Sequence, residues 1–404
     1  MARSPFTLAA AVTAAVPGAE IVGTRELRTE DDGRFDAAVV TLADGRDLAI
    51  RVATDDSGSR ELATESLALR ALTTGARAML PFALPQYLGE TMLGDDRALV
   101  TDYLPGFQID AAHLPPGPGA ARSVGEAIAA IHALSASVVR SAGLPERSDA
   151  ETRADLRRLT DRAASTGHVP ARLIVRWREA LDDDSLWQFA ATVTLGGAQA
   201  HTFLYEDDAV AGPAVTAAIG WHGLRIGDPA SDLAWLATAP EAAESVFEAY
   251  AHASARSSDD ALQTRARLHA ELEFVQWLVH GDDLRRDDIV ADATALLESL
   301  AESVREGELA TIAPDTDLAL QSALGAVERM PEADPSEIDT SIQTDAYTPE
   351  ELWVAQLKPV PRGDASAGDI APLEEGTPAA GEVESEAQRA ARAALQRWSN
   401  SPSE

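Results

Sequence analysis

Cysteine is absent from the 404-residue chain, and Lys358 is its only lysine. The absence of cysteine excludes disulfides, thiolate metal ligands and cysteine nucleophiles. Arginine supplies every other permanently positive side chain. A mechanism that needs a lysine anywhere before the C-terminal region is therefore excluded.

Long apolar runs and excess positive charge are also missing. No run approaches the roughly 18 apolar residues that a membrane-spanning helix needs. The formal net charge is −33, which argues against nucleic-acid binding because that function needs a basic surface. The N-terminal stretch FTLAAAVTAAVPG is too polar for a signal peptide and favours a surface-packed helix. We expect a cytoplasmic protein that binds neither nucleic acid nor membrane.

The apolar pattern changes from strand-like to helical along the chain. Residues 20–52 alternate, and FDAAVVTLADGRDLAIRV predicts two strands joined at the Asp44-Gly45 turn. A helix is expected at 58–73, where apolar residues recur on one face. Further expected elements are a strand at 97–106, a helix at 123–134, a β-rich region at 190–221 and helices over 230–307. This order predicts an α+β chain with two lobes.

The expected division is a small β-sheet-plus-helix lobe at residues 1–101, a mainly helical lobe at 102–310 and a tail at 311–404. The tail has 18 acidic and 6 basic residues, a net −12, and buries too little apolar surface to fold alone. Within this largely disordered segment, TPEELWVAQL has a capping box and ESEAQRAARAALQRW an apolar stripe. We expect their apolar side chains to bind a protein partner or a cleft of the chain itself, unless the tail only confers solubility. These side chains are Leu352, Trp353, Leu357, Leu395 and Trp398.

Two stretches in the helical region carry a resemblance to a known family. SVGEAIAAIHAL is similar to a helix that ends in Leu-His-x-Leu, and GDPASDLAWL is similar to Gly-Asp-Pro-x-x-Asp-Leu-Ala. With these stretches in this order, residues 5–307 resemble the aminoglycoside and macrolide phosphotransferases, relatives of choline kinase. The resemblance implies a bilobal protein-kinase-like fold. It also implies ATP-dependent phosphorylation of a small-molecule hydroxyl, with MgATP bound between the lobes.

The resemblance places Arg51 of LAIRV where the family has the lysine that holds the nucleotide phosphates. It places Glu65 where the family has the helix glutamate that holds this lysine. The planar guanidinium of arginine is not equivalent to a lysine ammonium. Because Glu65 lies among apolar residues, it needs a partner, and we expect Arg51 to contact it. The pair is interpreted either as a structural ion pair or as a vestige of the nucleotide site.

The family's catalytic loop, His-Gly-Asp followed by Asn, aligns without gaps to LGGAQAHT. Gly197 then replaces the proton-accepting aspartate, and Thr202 replaces the asparagine. Gly220 replaces the aspartate that binds magnesium. Glycine has no side chain with which to accept a proton or bind a hard cation. We therefore predict that no catalytic residue is intact and that no metal is bound.

Other residues of the resembling motifs have predicted architectural roles. By resemblance, Asp232 braces the catalytic loop through its backbone, and the turn around Asp228 caps a helix that Asp232 opens. His132 is expected to be a core histidine. His201 and His222 lie next to the degenerate positions and are the candidates for displaced catalytic residues.

Three hypotheses for the function follow. The leading one is a phosphotransferase-family pseudoenzyme that uses no cofactor and acts by binding, with a small molecule between the lobes as one candidate ligand. The first alternative is an active ATP-dependent phosphotransferase of aminoglycoside or macrolide type, which would use MgATP and His201 or His222. The second alternative is an interaction protein that works through its C-terminal tail.

Overall fold

The computed structural model describes residues 3–27, 34–208, 212–256 and 259–304. A β-sheet part precedes a mainly helical part, so the expected α+β order is confirmed. The predicted tail at 311–404, with its two helical stretches and five apolar side chains, lies outside the described residues. In the part that is described, no helix is long and apolar enough to cross a membrane.

Helices and strands follow one another in the expected order, and the structure adds two strands, Tyr87–Leu93 and Arg225–Gly227, that the apolar pattern does not predict. The helices are α1 (Pro5–Ala15), α2 (Asp56–Ala71), α3 (Thr74–Arg77), α4 (Ala120–His132), α5 (Ser137–Ser141), α6 (Asp149–Thr166), α7 (Ala171–Asp182), α8 (Pro240–Ala253), α9 (Leu262–Leu284) and α10 (Asp287–Ser303). The strands are β1 (Ile21–Glu26), β2 (Phe35–Leu42), β3 (Asp47–Ala53), β4 (Tyr87–Leu93), β5 (Asp96–Asp102), β6 (Thr192–Thr194), β7 (Phe203–Asp208), β8 (Gly212–Ala218) and β9 (Arg225–Gly227).

The N-terminal sheet is antiparallel and has the strand order β1-β2-β3-β5-β4. Gly45 takes a positive φ of 87° in the β2–β3 turn, which explains the glycine of the predicted hairpin. Ile50 and its neighbours at alternate positions of β3 pack against α1. Because successive strand side chains alternate between faces, Arg51 points to the other side, where α2 lies.

Helix α2 begins after Asp55, whose side chain accepts a hydrogen bond from the Gly58 N–H at 2.6 Å. It buries Leu62, Glu65 and Leu69, the face that the sequence pattern predicts. The helix ends at Ala71, two residues before the predicted end. The reason is local, because Thr73 has extended backbone and is itself the N-cap of α3.

The helical part has two apolar cores. One contains α4 and α8, which pack along each other, and the other joins α6, α7, α9 and α10. A fully buried ion pair lies in the second core, where Arg176 donates to Glu271 at 3.1 and 2.9 Å. The Trp177 indole N–H donates to the same carboxylate at 2.8 Å. These bonds join α7 to α9.

The segment after β9 corrects one expectation. The sequence predicts a helix that Asp232 opens, but the helix begins at Pro229, runs to Thr238 as a 3₁₀ helix and is capped by Asp228. The Asp228 side chain accepts a hydrogen bond from the Ala230 N–H at 2.9 Å. The Ser231 hydroxyl donates a hydrogen bond of 2.8 Å to the carbonyl of Asp228, three residues back. The same three-residue spacing defines the 3₁₀ turn, which is tighter than an α-helical turn. The 3₁₀ geometry places Asp232 inside the first turns, facing the loop described next.

Candidate functional site

The loop at residues 195–202 is held through its backbone by one buried carboxylate. Asp232 accepts hydrogen bonds from the N–H groups of Leu195 at 2.6 Å, Gly197 at 2.8 Å and Ala198 at 3.2 Å. The predicted contact between Asp232 and the loop backbone is confirmed. These three bonds fix the path of the loop independently of its side chains.

His132 supports Asp232 from α4. Its Nε2 donates to the carboxylate at 3.2 Å, and its Nδ1 lies 2.9 Å from the Tyr250 hydroxyl. His132 is buried in the core, as predicted. Burial alone would raise the pKa of Asp232. The contact with His132 and the hydrogen bonds from the loop N–H groups have the larger effect, so the pKa is lowered. The carboxylate is therefore charged and remains a strong acceptor.

Two glycines shape the loop. Gly196 has φ +79°, and a Cβ there would lie 2.4 Å from the Gly223 carbonyl oxygen, so only glycine fits. Gly197 has φ +120°, and no heavy atom lies within 4 Å of the position of its absent Cβ. The space where the resemblance expects a catalytic carboxylate is therefore empty of atoms from any described residue. The backbone conformation of Gly197 is also one that residues with a side chain rarely adopt.

Thr202 and Gly220, the other two positions that the resemblance assigns to chemistry, have local structural roles. The Thr202 hydroxyl is buried and accepts a hydrogen bond from the Gln199 N–H at 3.0 Å, which closes the end of the loop. Gly220 takes the left-handed conformation, φ +72° and ψ +50°, and precedes a 3₁₀ turn at Trp221–Gly223. Glycine adopts this conformation at little cost.

Arg51 and Glu65 are in contact, so the predicted meeting of β3 and α2 is confirmed. Both side chains are buried, and the Arg51 guanidinium also lies 6.0 Å from the ring centre of Phe35. A buried carboxylate that accepts from a buried guanidinium is a strong and specific contact. Whether the pair also contacts a nucleotide stays a prediction.

His201 lies next to Thr202 and His222 lies near Gly220, but their surroundings differ. Burial lowers the pKa of His201 to about 4, and its Nε2 is buried without a hydrogen-bond partner among the described residues. The Gln108 amide donates to the His201 carbonyl at 2.6 Å. The Nδ1 of His222 lies 3.5 Å from Oε1 of Glu61 on α2. The sequence indicates both histidines, but it does not indicate their contacts with Gln108 and Glu61.

Asp228 forms a charged cluster that sequence reasoning missed. Arg265 donates to both of its carboxylate oxygens, at 2.9 and 3.1 Å, and His269 Nε2 donates at 3.2 Å. Burial of Asp228 would raise its pKa, but these bonds and charges lower it to about 2. The predicted capping role of Asp228 is confirmed, and the cluster adds a tie between the 3₁₀ helix and α9. No short-range signal marks Arg265, because the contact spans 37 positions.

A second missed group lies beside the loop. Glu273 on α9 is hydrogen-bonded to Gln199, and burial raises its pKa to about 7. Acidic residues are common on helices, and the apolar pattern of α9 does not distinguish this one. In the described ranges, no group of three or more His, Cys, Asp or Glu side chains could hold a metal ion.

Comparison with known proteins identifies the relatives of this architecture. The model of the phosphotransferase enzyme family, APH, matches residues 27–270. The structure of macrolide 2′-phosphotransferase MphH from Brachybacterium faecium is 23% identical, with a TM-score of 0.59, over 72% of this chain and 97% of that chain. The GDP complex of aminoglycoside 2′-phosphotransferase-IIIa is 17% identical, with a TM-score of 0.61, over 73% and 98%. No curated protein matches the chain. The solved structures share the bilobal kinase-like fold.

Proposed function

This chain belongs to the phosphotransferase enzyme family, and we propose that it is a member without phosphoryl-transfer activity that acts by binding. The proposal rests on what stands at the positions that the family resemblance assigns to chemistry. Gly197, Thr202 and Gly220 occupy these three positions. The surrounding loop keeps its hydrogen bonds to Asp232, so the family's scaffold is retained around them.

These residues do not fit a magnesium-nucleotide complex. Mg²⁺ binds carboxylate oxygens and water in a near-octahedral arrangement. The two glycines offer no side-chain oxygen, and the Thr202 hydroxyl is engaged with the Gln199 N–H. The loss of a general base alone costs about 10²- to 10⁴-fold in rate. Without metal ligands as well, the site supports binding rather than catalysis.

Further elements of this proposal follow from the same residues. The Arg51 charge is already matched by buried Glu65, which supports a structural role for the pair. The protein would need no cofactor, would act in the cytoplasm and would bind neither nucleic acid nor membrane. Its ligand would be a small molecule between the lobes. A protein partner could bind the acidic tail at residues 311–404.

The alternative function is an active phosphotransferase that uses displaced residues. The observation that favours it is the closeness of His222 and Glu61, because an imidazole beside a carboxylate is the usual arrangement of a general base. His201 is a poorer candidate, since burial lowers its pKa to about 4. The substrates would be those named for the similar structures, a macrolide or an aminoglycoside.

A transfer assay separates the two functions. The full chain is incubated with Mg²⁺ and γ-³²P-labelled ATP or GTP, together with a macrolide or an aminoglycoside; GTP is included because one similar structure holds GDP. We expect no labelled product above the enzyme-free rate. The matched variants are His222→Asn and, as an exposed control, His168→Asn. Turnover that His222→Asn abolishes and His168→Asn preserves would establish the alternative function.

A further inference from the structure

A cavity of about 450 Å³ lies in the helical part. Its walls come from the segment before β6, the C-terminal end of α8 and the start of α9. This volume lies in the range of about 300 to 1,000 Å³ that is typical of small-molecule sites. No residue of the loop at 195–202 and neither member of the Arg51–Glu65 pair lines it.

The position of this cavity on α9 separates it from the degenerate loop. Gln263, in the first turn of α9, lines the cavity. Glu273 is the residue of α9 that reaches Gln199 of the loop. Ten residues of α-helix span about 15 Å. The cavity is therefore a second site, and its occupation does not depend on the proposed loss of catalysis.

Aromatic rings form the apolar wall of the cavity. Phe189, Phe247 and Tyr250 contribute them. The Tyr250 hydroxyl is engaged with buried His132 at 2.9 Å, which leaves its ring for the cavity. The Phe189 ring is fixed by the Arg265 guanidinium, 4.4 Å from its centre. Side chains that are already held in place form a preorganised wall for a flat apolar group.

Charge at the cavity favours a cation. Two acids and one arginine line the cavity. Arg265 is shared between Asp259, at 2.7 Å, and Asp228. The positively charged Arg256 donates to the Ala190 carbonyl. Asp260 is exposed and has no ion-pair partner among the residues that the structure describes. Asp260 is thus the acid that remains available to a ligand. The net charge of −33 over the whole chain adds a long-range attraction for cations.

We propose that this cavity binds a small organic cation that carries a flat apolar ring and a protonated amine. The ring lies against Phe189, Phe247 and Tyr250, and the amine pairs with Asp260. This is a binding site in addition to the cleft between the lobes. The proposal requires recognition by charge as well as by apolar contact.

Ligand-observed NMR titrations of the full chain at pH 7 test this site with two probes that carry the same phenyl ring and opposite charges. The probes are 2-phenylethylammonium and 3-phenylpropionate. The ammonium probe should bind with a Kd of about 1 mM, the range expected for a fragment of this size. The carboxylate probe should bind at least about threefold more weakly, because one exposed charge pair is worth up to about fivefold.

Three variants show whether the probes bind in this cavity. Ala251→Trp places a large ring at an exposed lining position of α8 and should abolish binding. Asp260→Asn should weaken the ammonium probe about threefold to fivefold and leave the carboxylate probe no weaker. Glu248→Gln removes an exposed acid of α8 that does not line the cavity, and should change neither Kd.

Three outcomes would overturn the proposal. They are absence of binding by the ammonium probe, equal binding of the two probes, and binding that Ala251→Trp leaves intact. Far-UV circular dichroism of each variant confirms its fold. If Ala251→Trp does not fold, Asp260→Asn decides, and an unchanged Kd for the ammonium probe then contradicts the proposal.

Discussion

The carboxylate of Asp232 accepts a hydrogen bond of 2.8 Å from the backbone N–H of Gly197. The residue that the resemblance places at the family's general-base position is thus held by a buried negative charge from the 3₁₀ helix. Because the bond is to the backbone, it does not require any particular side chain at position 197. The bond therefore holds the backbone of the loop whatever side chain stands at position 197.

Asp232→Asn should destabilise the protein strongly. The amide keeps one acceptor oxygen but brings an NH₂ group toward backbone donors, so buried N–H groups of the loop lose their acceptor. We expect a loss of about 3 kcal/mol in the free energy of unfolding, measured by urea titration at pH 7. Since the pKa of Asp232 is lowered, its contribution is present above about pH 4 and is lost as the pH falls further.

The control for this prediction is Asp95→Asn, at an exposed acid of the β4–β5 turn. It should change the free energy of unfolding by no more than about 0.5 kcal/mol. Equal stability of Asp232→Asn and Asp95→Asn would show that the Asp232 bonds do not hold the loop.

The Arg51–Glu65 pair should behave as a structural unit. Arg51→Met leaves the Glu65 carboxylate buried without its cation and should cost about 3 to 5 kcal/mol. The double variant Arg51→Met, Glu65→Leu removes both charges and should recover most of this loss. Urea unfolding of the two single variants and the double variant gives the coupling energy. A double variant as unstable as the sum of the single variants contradicts the assigned pairing.

Glu273 should make the protein less stable as the pH rises. Burial raises its pKa from 4.5 to about 7, so between these values the folded state holds a proton that the unfolded chain releases. The free energy of unfolding therefore falls as the pH increases through this window. Glu273→Gln stays neutral, and at pH 8 it should be more stable than the wild type by about 3 kcal/mol, with little difference at pH 4.

The comparison of Glu273→Gln with the wild type isolates this one group. His201, with its pKa lowered to about 4, stabilises the protein as the pH rises from 4 to 6.5, but it is present in both proteins. Asp228 titrates near pH 2 and lies outside the window. A stability difference that does not change between pH 4 and pH 8 would contradict the assignment.

Short-range patterns in the sequence account for much of the fold. The Asp44-Gly45 pair locates the β2–β3 turn because glycine provides the positive φ that the turn needs. An acid among the apolar residues of α2 indicated that Glu65 needs a partner, and Arg51 supplies it. Apolar periodicity and turn residues act over a few positions, so both can be recognised in the sequence without knowledge of the tertiary structure.

Long-range partners could not be predicted. Arg265 meets Asp228 across 37 positions, and Arg176 meets Glu271 across 95, because helix packing decides both contacts. The 3₁₀ geometry of Pro229–Thr238 depends on bonds to carbonyls three residues back rather than on apolar periodicity. The tail, the loss of catalysis and the ligand between the lobes stay predictions.

Isothermal titration calorimetry of the full chain with MgATP and MgGTP tests the proposed loss of nucleotide chemistry most directly. Gly197, Thr202 and Gly220 leave Mg²⁺ without a side-chain carboxylate at these positions. The proposal predicts no saturable binding of either nucleotide up to about 1 mM, with or without a chelator. A micromolar Kd for either nucleotide that EDTA abolishes would contradict it.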